Sequence, residues 1–174
     1  KEYEYKQLEV LYSFLNSSLL YLDSRPVYYS PSSRTVLAEA ELEYKNRKDL
    51  SAYFTFDLED GRKLFLWTTQ PWTVLGNVAV CVNKSGDYVD VKLGDKTYVV
   101  AESRMHLLNG EVVNKYKGKS LKGLKYSNKL GSDGVVVCDK FVKLDSGTGL
   151  VHLCPAHGED DFEVCKKNGL TGLD

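Results

Sequence analysis

Apolar and polar residues alternate with a period of two in a series of short runs, and the two longer stretches of helical spacing lie near the ends of the chain. Leu8, Leu11, Leu15 and Leu19 recur at three- and four-residue steps, which predicts a helix over residues 4–22 with one apolar stripe. Arg25-Pro26 stops it, because the residue before a proline is pushed out of the helical region. Val27-Tyr28-Tyr29 reads as a short extended run before the turn-rich Ser30–Ser33, and the alternation of Glu39, Glu41 and Glu43 with Ala40, Leu42 and Tyr44 predicts a half-buried strand. Residues 51–58 and 63–69 alternate around Glu59-Asp60-Gly61-Arg62, a hairpin signal. Further strands are predicted over 78–82, 88–93, 96–101, 135–138 and 149–153. A short helix is predicted over 102–108 and a longer one over 159–168, with Gly169 as its stop. Many short strands between turns, with few helices, predict a β-rich, barrel-like α+β fold. The 174 residues suit one domain, with a leading helix and connection over 1–25 and a β-rich core over 26–174.

Composition narrows this picture. At 43% hydrophobic and 27% charged residues the chain can build a real core, which excludes wholesale disorder. No stretch reaches the roughly 18 apolar residues of a membrane span, and the opening Lys1-Glu2-Tyr3-Glu4-Tyr5 is unlike a secretory signal. Twenty-three basic against 24 acidic residues give a net charge of -1, so a nucleic-acid partner would need a local patch. Lys115, Lys117, Lys119, Lys122, Lys125 and Lys129, with no acid between Asn114 and Leu130, supply one; they read equally as a solvated loop or irregular hairpin. Cys81, Cys138, Cys154 and Cys165 are widely spaced, which points to buried reduced thiols and away from structural zinc.

Two segments interrupt core-like strands with polar and small residues. In the run from Trp67 to Asn77 (WTTQPWTVLGN), adjacent threonines offer hydroxyls at a strand end and Pro71 can open a helical turn; the run reads equally as a strand and turn around a buried tryptophan. The run from Gly147 to Phe162 (GTGLVHLCPAHGEDDF) holds His152 and His157 ahead of three carboxylates, which are also at home in a helix's first turn. Its glycines, Gly149 among them, let the backbone pass close to a ligand or a neighbouring strand. His152, His157 and Asp161 match no common metal spacing, and Cys154 beside His152 lacks a third group to complete a nucleophilic triad.

Together with PVYYSPSSRTVLAEAELEY near the start, these two motifs resemble, in order, the editing (CP1) domain inserted into isoleucyl-, valyl- and leucyl-tRNA synthetases. The Gly158 after His157, and His152 itself, favour the isoleucyl type; the synthetic signatures H-I-G-H and K-M-S-K-S are absent from the chain. The resemblance implies an editing domain excised from a larger synthetase, hydrolysing the ester of mischarged Val-tRNA(Ile) with no cofactor and no metal. The alternative is a module that binds the tRNA acceptor end with a degraded hydrolytic pocket. By resemblance Asp161 anchors the substrate's ammonium group, Thr68 and Thr69 hold the terminal adenosine and position water, and His152 walls the side-chain pocket. Asn77, Gln70, Trp72, His157 and Gly149 join them as substrate-binding candidates, and Lys115, Lys117, Lys119 and Lys122 as tRNA-binding ones. The implied partners are the 3′ end of tRNA(Ile) and the rest of the synthetase, with no membrane and a monomeric isolated domain. Gln70 stands where the family commonly has a third threonine, and Val74-Leu75-Gly76 where it has Leu-Pro-Ala. That drift suggests the mitochondrial matrix, with the bacterial cytoplasm as the alternative.

Overall fold

The expected hairpin forms: strands β3 (Ala52–Leu58) and β4 (Lys63–Thr68) pair antiparallel from Ala52 opposite Thr68 to Asp57 opposite Lys63. The computed structural model describes residues 1–170. Around this hairpin a nine-stranded mixed sheet assembles from β5 (Ala79–Val82), β6 (Asp87–Leu93), β7 (Lys96–Ala101), β8 (Glu111–Lys117), β9 (Lys125–Ser127), β10 (Gly134–Cys138) and β11 (Leu150–Leu153). The spatial order is β11-β5-β10-β9-β3-β4-β7-β6-β8, with β10–β5 and β4–β7 parallel and the other neighbours antiparallel.

The sheet coils back on itself. The Ala101 amide at the end of β7 donates to the Thr148 carbonyl just before β11, at 3.0 Å. Gly149 permits that approach: its φ is +75°, and a Cβ there would lie 2.2 Å from that of Ala101. The enclosed face carries the main core, including Phe56, Leu64, Leu66, Val80, Val82, Val99, Tyr126 and Val136. Strand β5 is buried on both faces. Val80 and Val82 face that core, while Ala79 and Cys81 pack with Leu153, Val164 and Cys165 under helix α2 (Glu159–Lys167).

Three sequence expectations change. The leading helix α1 spans Glu2–Asn16 and ends before Leu19, because Ser18 turns into the left-handed region (φ 55°) and the Leu19 amide bonds back to the Phe14 carbonyl. The strand expected at 39–44 is a single 3₁₀ turn over Glu39–Glu41; the Glu41 carboxylate satisfies the Ala38 amide locally, and the segment pairs with no strand among the described residues. The lysine-rich stretch is ordered: β8 is the edge strand against β6, a 3₁₀ turn spans Gly118–Leu121, and β9 follows. Lysines on an exposed edge discourage pairing with another chain. Among the described residues, none before Phe56 is buried. A two-stranded hairpin, β1 (Tyr29–Ser30) with β2 (Thr35–Val36), lies in the leading region.

Leu64 is wholly buried at the centre of the coiled sheet. Leu64→Ala is expected to cost about 2–5 kcal/mol, read as a lower urea midpoint with an unchanged denaturant slope. A loss well under 1 kcal/mol would contradict a rigidly packed interior.

Candidate active site

The C-terminal end of β4, the turn after it, β11 and the start of α2 converge on one cavity of about 440 Å³. Its lining includes Thr68, Thr69, Gln70 and Thr73 from β4 and the turn, His152 and Cys154 from β11 and its end, and His157, Asp160 and Asp161 from the segment that leads into α2. Six sequence candidates (Thr68, Thr69, Gln70, His152, His157 and Asp161) therefore share one recess.

Each is placed by local chemistry. Pro71 opens a 3₁₀ turn over Pro71–Gly76, so the chain leaves β4 at once and the threonines end at the cavity mouth. Thr68 is nearly buried, and its hydroxyl oxygen accepts the Gln70 amide at 3.0 Å, which leaves the hydroxyl proton available to a ligand. Thr69 and Gln70 are exposed at the rim. Asp161 is the third residue of α2, where unpaired helix amides favour an anion, and its carboxylate also accepts the Cys154 amide at 2.8 Å. Gly158 makes room for it: a Cβ there would stand 2.8 Å from the Asp161 carboxyl carbon.

Burial works against these charges. It pushes the Asp161 carboxyl above its ordinary value, opposed by the Cys154 amide and aided by neighbouring Asp160. It pushes His152 down, so the imidazole stays neutral, and pushes the Cys154 thiol up, away from a reactive thiolate. Cys154 thus acts as packing: its Sγ lies where a Cβ on Gly76 would come within 2.8 Å, so the glycine in place of the motif's alanine fits this cysteine. Among the described residues, no group of three or more His, Cys, Asp or Glu side chains is arranged to hold a metal ion.

Several candidates lie elsewhere. Asn77 is buried and its amide is spent internally: it donates to the Ala79 carbonyl at 2.9 Å and accepts the Tyr126 hydroxyl, so it braces the turn rather than meeting a ligand. Gly149 is a packing glycine against Ala101, and Trp72 is largely exposed off the cavity wall. None of the four lysine candidates lines the cavity; Lys115 pairs with Glu102 and Lys117 with Asp87, while Lys119 and Lys122 form no ion pair among the described residues. Thr73 is the residue that reading the sequence missed. It sits within the motif three positions after Gln70, yet only the turn shows that its buried hydroxyl meets His152.

Comparison with known proteins settles the lineage. Isoleucine–tRNA ligase of Geobacillus thermodenitrificans is 39% identical over 187 residues, covering 99% of this chain and 20% of that enzyme. The Mesomycoplasma hyopneumoniae (strain 232) ligase is 38% identical over 183 residues, covering 97% of this chain and 21% of its own length. The chain belongs to the CP1 editing domains of isoleucyl-tRNA synthetases. It spans about a fifth of the length of the curated relatives it matches. Two crystal structures share the fold of this editing domain. GlLeuRS-CP1 has a TM-score of 0.56 at 24% identity, over 62% of this chain and 47% of that one. The cytosolic leucyl-tRNA synthetase editing domain of P. knowlesi has a TM-score of 0.55 at 16% identity, over 74% of this chain and 68% of that one. No family model matches the chain. Both ligases are bacterial, so they lend no support to a mitochondrial source and agree with the bacterial alternative.

The raised Asp161 pKa has a definite sign for stability. The folded state favours the protonated carboxyl, so this group's contribution is present below the unfolded pKa and lost as pH rises through the folded one. Asp161→Asn, which keeps an acceptor for the Cys154 amide, is expected to raise the melting temperature at neutral pH, by about 2–4 °C per kcal/mol relieved. The gain should shrink as pH falls into the range where Asp161 is protonated. Melting curves without a neutral-pH gain would mean that the buried carboxylate is fully compensated.

Proposed function

We propose that this editing domain hydrolyses the aminoacyl ester of Val-tRNA(Ile). The observation that carries the reading is a single recess in which a part-buried carboxylate, Asp161, faces a wall holding adjacent threonines and a neutral, buried histidine. An ammonium group beside the ester would find its counter-charge in Asp161, the strongest kind of hydrogen bond available there. Thr68, with a free proton, and Thr69 at the mouth would hold the terminal ribose and the attacking water. Water adds to the ester carbonyl, the bond from that carbon to the ribose oxygen breaks, and that oxygen takes up a proton, releasing valine and a deacylated tRNA end. Cys154 is held as a thiol and the Asp161 carboxylate is engaged by an amide, so neither is poised as a strong base. The water's proton therefore leaves through solvent or the substrate's own neighbouring hydroxyl.

His152 sets which side chain enters. One methylene in an apolar pocket is worth only about 1–3 kcal/mol, a limit for which isoleucine against valine in isoleucyl-tRNA synthetase is itself the standard example. A second pocket that admits valine and excludes isoleucine answers it. The partners of this reading are the acceptor end of tRNA(Ile) and the remainder of the synthetase, in the bacterial cytoplasm.

Deacylation of Val-tRNA(Ile) tests the reading. Asp161→Ala is expected to lower kcat/KM by about 10- to 100-fold, the loss of a charged hydrogen bond worth roughly 1.5–3 kcal/mol. Unchanged hydrolysis by a folded variant would remove Asp161 from the mechanism, and tRNA binding without hydrolysis by the unaltered protein would favour an acceptor-end binding module. If Lys119 and Lys122 meet phosphates, replacing both with alanine should weaken tRNA binding and flatten its log–log salt dependence by about 1–2. An unchanged slope returns them to a solvated turn.

A further inference from the structure

The hydroxyl of Thr73 stands between two partners inside the fold. It donates to the Gln70 carbonyl at 2.8 Å, closing the turn that carries the threonines, and its oxygen lies 3.0 Å from Nε2 of His152. A hydroxyl has one proton, and a carbonyl can only accept. With that proton spent on Gln70, the oxygen offers His152 a lone pair, and the contact is a hydrogen bond only if Nε2 carries hydrogen. A neutral imidazole carries one N–H, so Nδ1 is then a bare acceptor. Consistently, Nδ1 of His152 is the buried side-chain nitrogen that finds no partner among the described residues. The ring has little other support: Phe54 packs edge-on at 5.8 Å, and the backbone lies opposite Val80 in the β11–β5 register.

We infer that Thr73 is a positioning residue that holds His152 as the Nε2–H imidazole and thereby keeps the side-chain wall of the cavity rigid. The inference rests on the editing reading for its consequence, and on hydrogen-bond geometry alone for the tautomer. A ring freed from Thr73 gains its other tautomer and a flipped orientation, since neither nitrogen is then tied. A wall able to shift by a fraction of an ångström no longer excludes one extra methylene. The exposed Gln70 side chain takes no part in this chain of bonds; its backbone carbonyl does, so the departure from threonine at that position leaves the arrangement intact.

The test uses the 174-residue protein with ¹⁵N-labelled histidine, whose spectrum holds only His106, His152 and His157. Two variants are compared: Thr73→Val, which keeps the shape and loses the hydroxyl, and Thr73→Ser, which keeps the hydroxyl. In the unaltered protein and in Thr73→Ser, His152 is expected as the neutral Nε2–H form, while Thr73→Val shows a mixture or the Nδ1–H form. In deacylation assays Thr73→Val is expected to raise the ratio of Ile-tRNA(Ile) to Val-tRNA(Ile) hydrolysis by tenfold or more, while Thr73→Ser keeps the unaltered ratio. An Nδ1–H His152 in the unaltered protein overturns the inference. So does a Thr73→Val variant in which either the tautomer or the rejection of isoleucine is unchanged. An Nε2–H His152 in a protein that hydrolyses neither ester overturns the editing reading and leaves the tautomer assignment standing.

Discussion

The contact on which the site depends is the close approach of Gly149 to Ala101. A nine-stranded sheet left open would carry the end of β4 and the start of β11 on distant strands, with four strands between them. Because no side chain separates Gly149 from Ala101, and the Ala101 amide closes onto Thr148, the sheet curls until the threonines at the end of β4 face the histidine of β11. Tyr88 reinforces the seam by donating its buried hydroxyl to the Gly149 carbonyl at 2.7 Å. Helix α2 packs outside β5 and β11, and its first turn brings Asp161 to the opening that the closure leaves. The cavity is thus a product of closure and is lined by no single element.

That opening holds groups which burial disfavours in their charged forms. Asp161 keeps its carboxylate through one backbone amide and a helix N-terminus, and Gly158 yields the space it occupies. His152 escapes the cost by staying neutral, at the expense of one bare nitrogen. Groups whose charged forms burial disfavours, gathered in one recess, mark it as the candidate site on physical grounds.

Two of the departures from the resembled threonine-rich motif, Gly76 and Gln70, have different physical standing. Gly76 packs against Cys154, whose sulfur lies 2.8 Å from where a Cβ would stand, so a larger residue at position 76 would crowd this cysteine. Gln70 stands exposed at the rim, with its backbone rather than its side chain holding the turn. Neither displaces Thr68, Thr69 or Thr73 from the cavity.

The strands were legible in the sequence wherever alternation coincided with a partner, as in the Asp60-Gly61 hairpin and in β6 and β7, because a period of two and a turn are both local properties. The alternation at 39–44 misled for the same reason: a half-buried strand needs a neighbouring edge, and local pattern cannot supply one. The leading helix was legible from its apolar stripe, but where it ended depended on Ser18 turning left-handed. At the site, the two motifs and their resemblance to a known family singled out Thr68, Thr69, His152 and Asp161, because residue types in a fixed order are a property of the sequence. Whether Asn77 met a ligand or the Tyr126 hydroxyl, whether Gly149 met substrate or Ala101, and whether Thr73 touched His152 were decided across 49, 48 and 79 residues of chain. Hydrogen-bond partners at that separation are chosen by how the sheet closes, so the sequence by itself determined which groups could do chemistry, and the tertiary structure decided which were left free to do it.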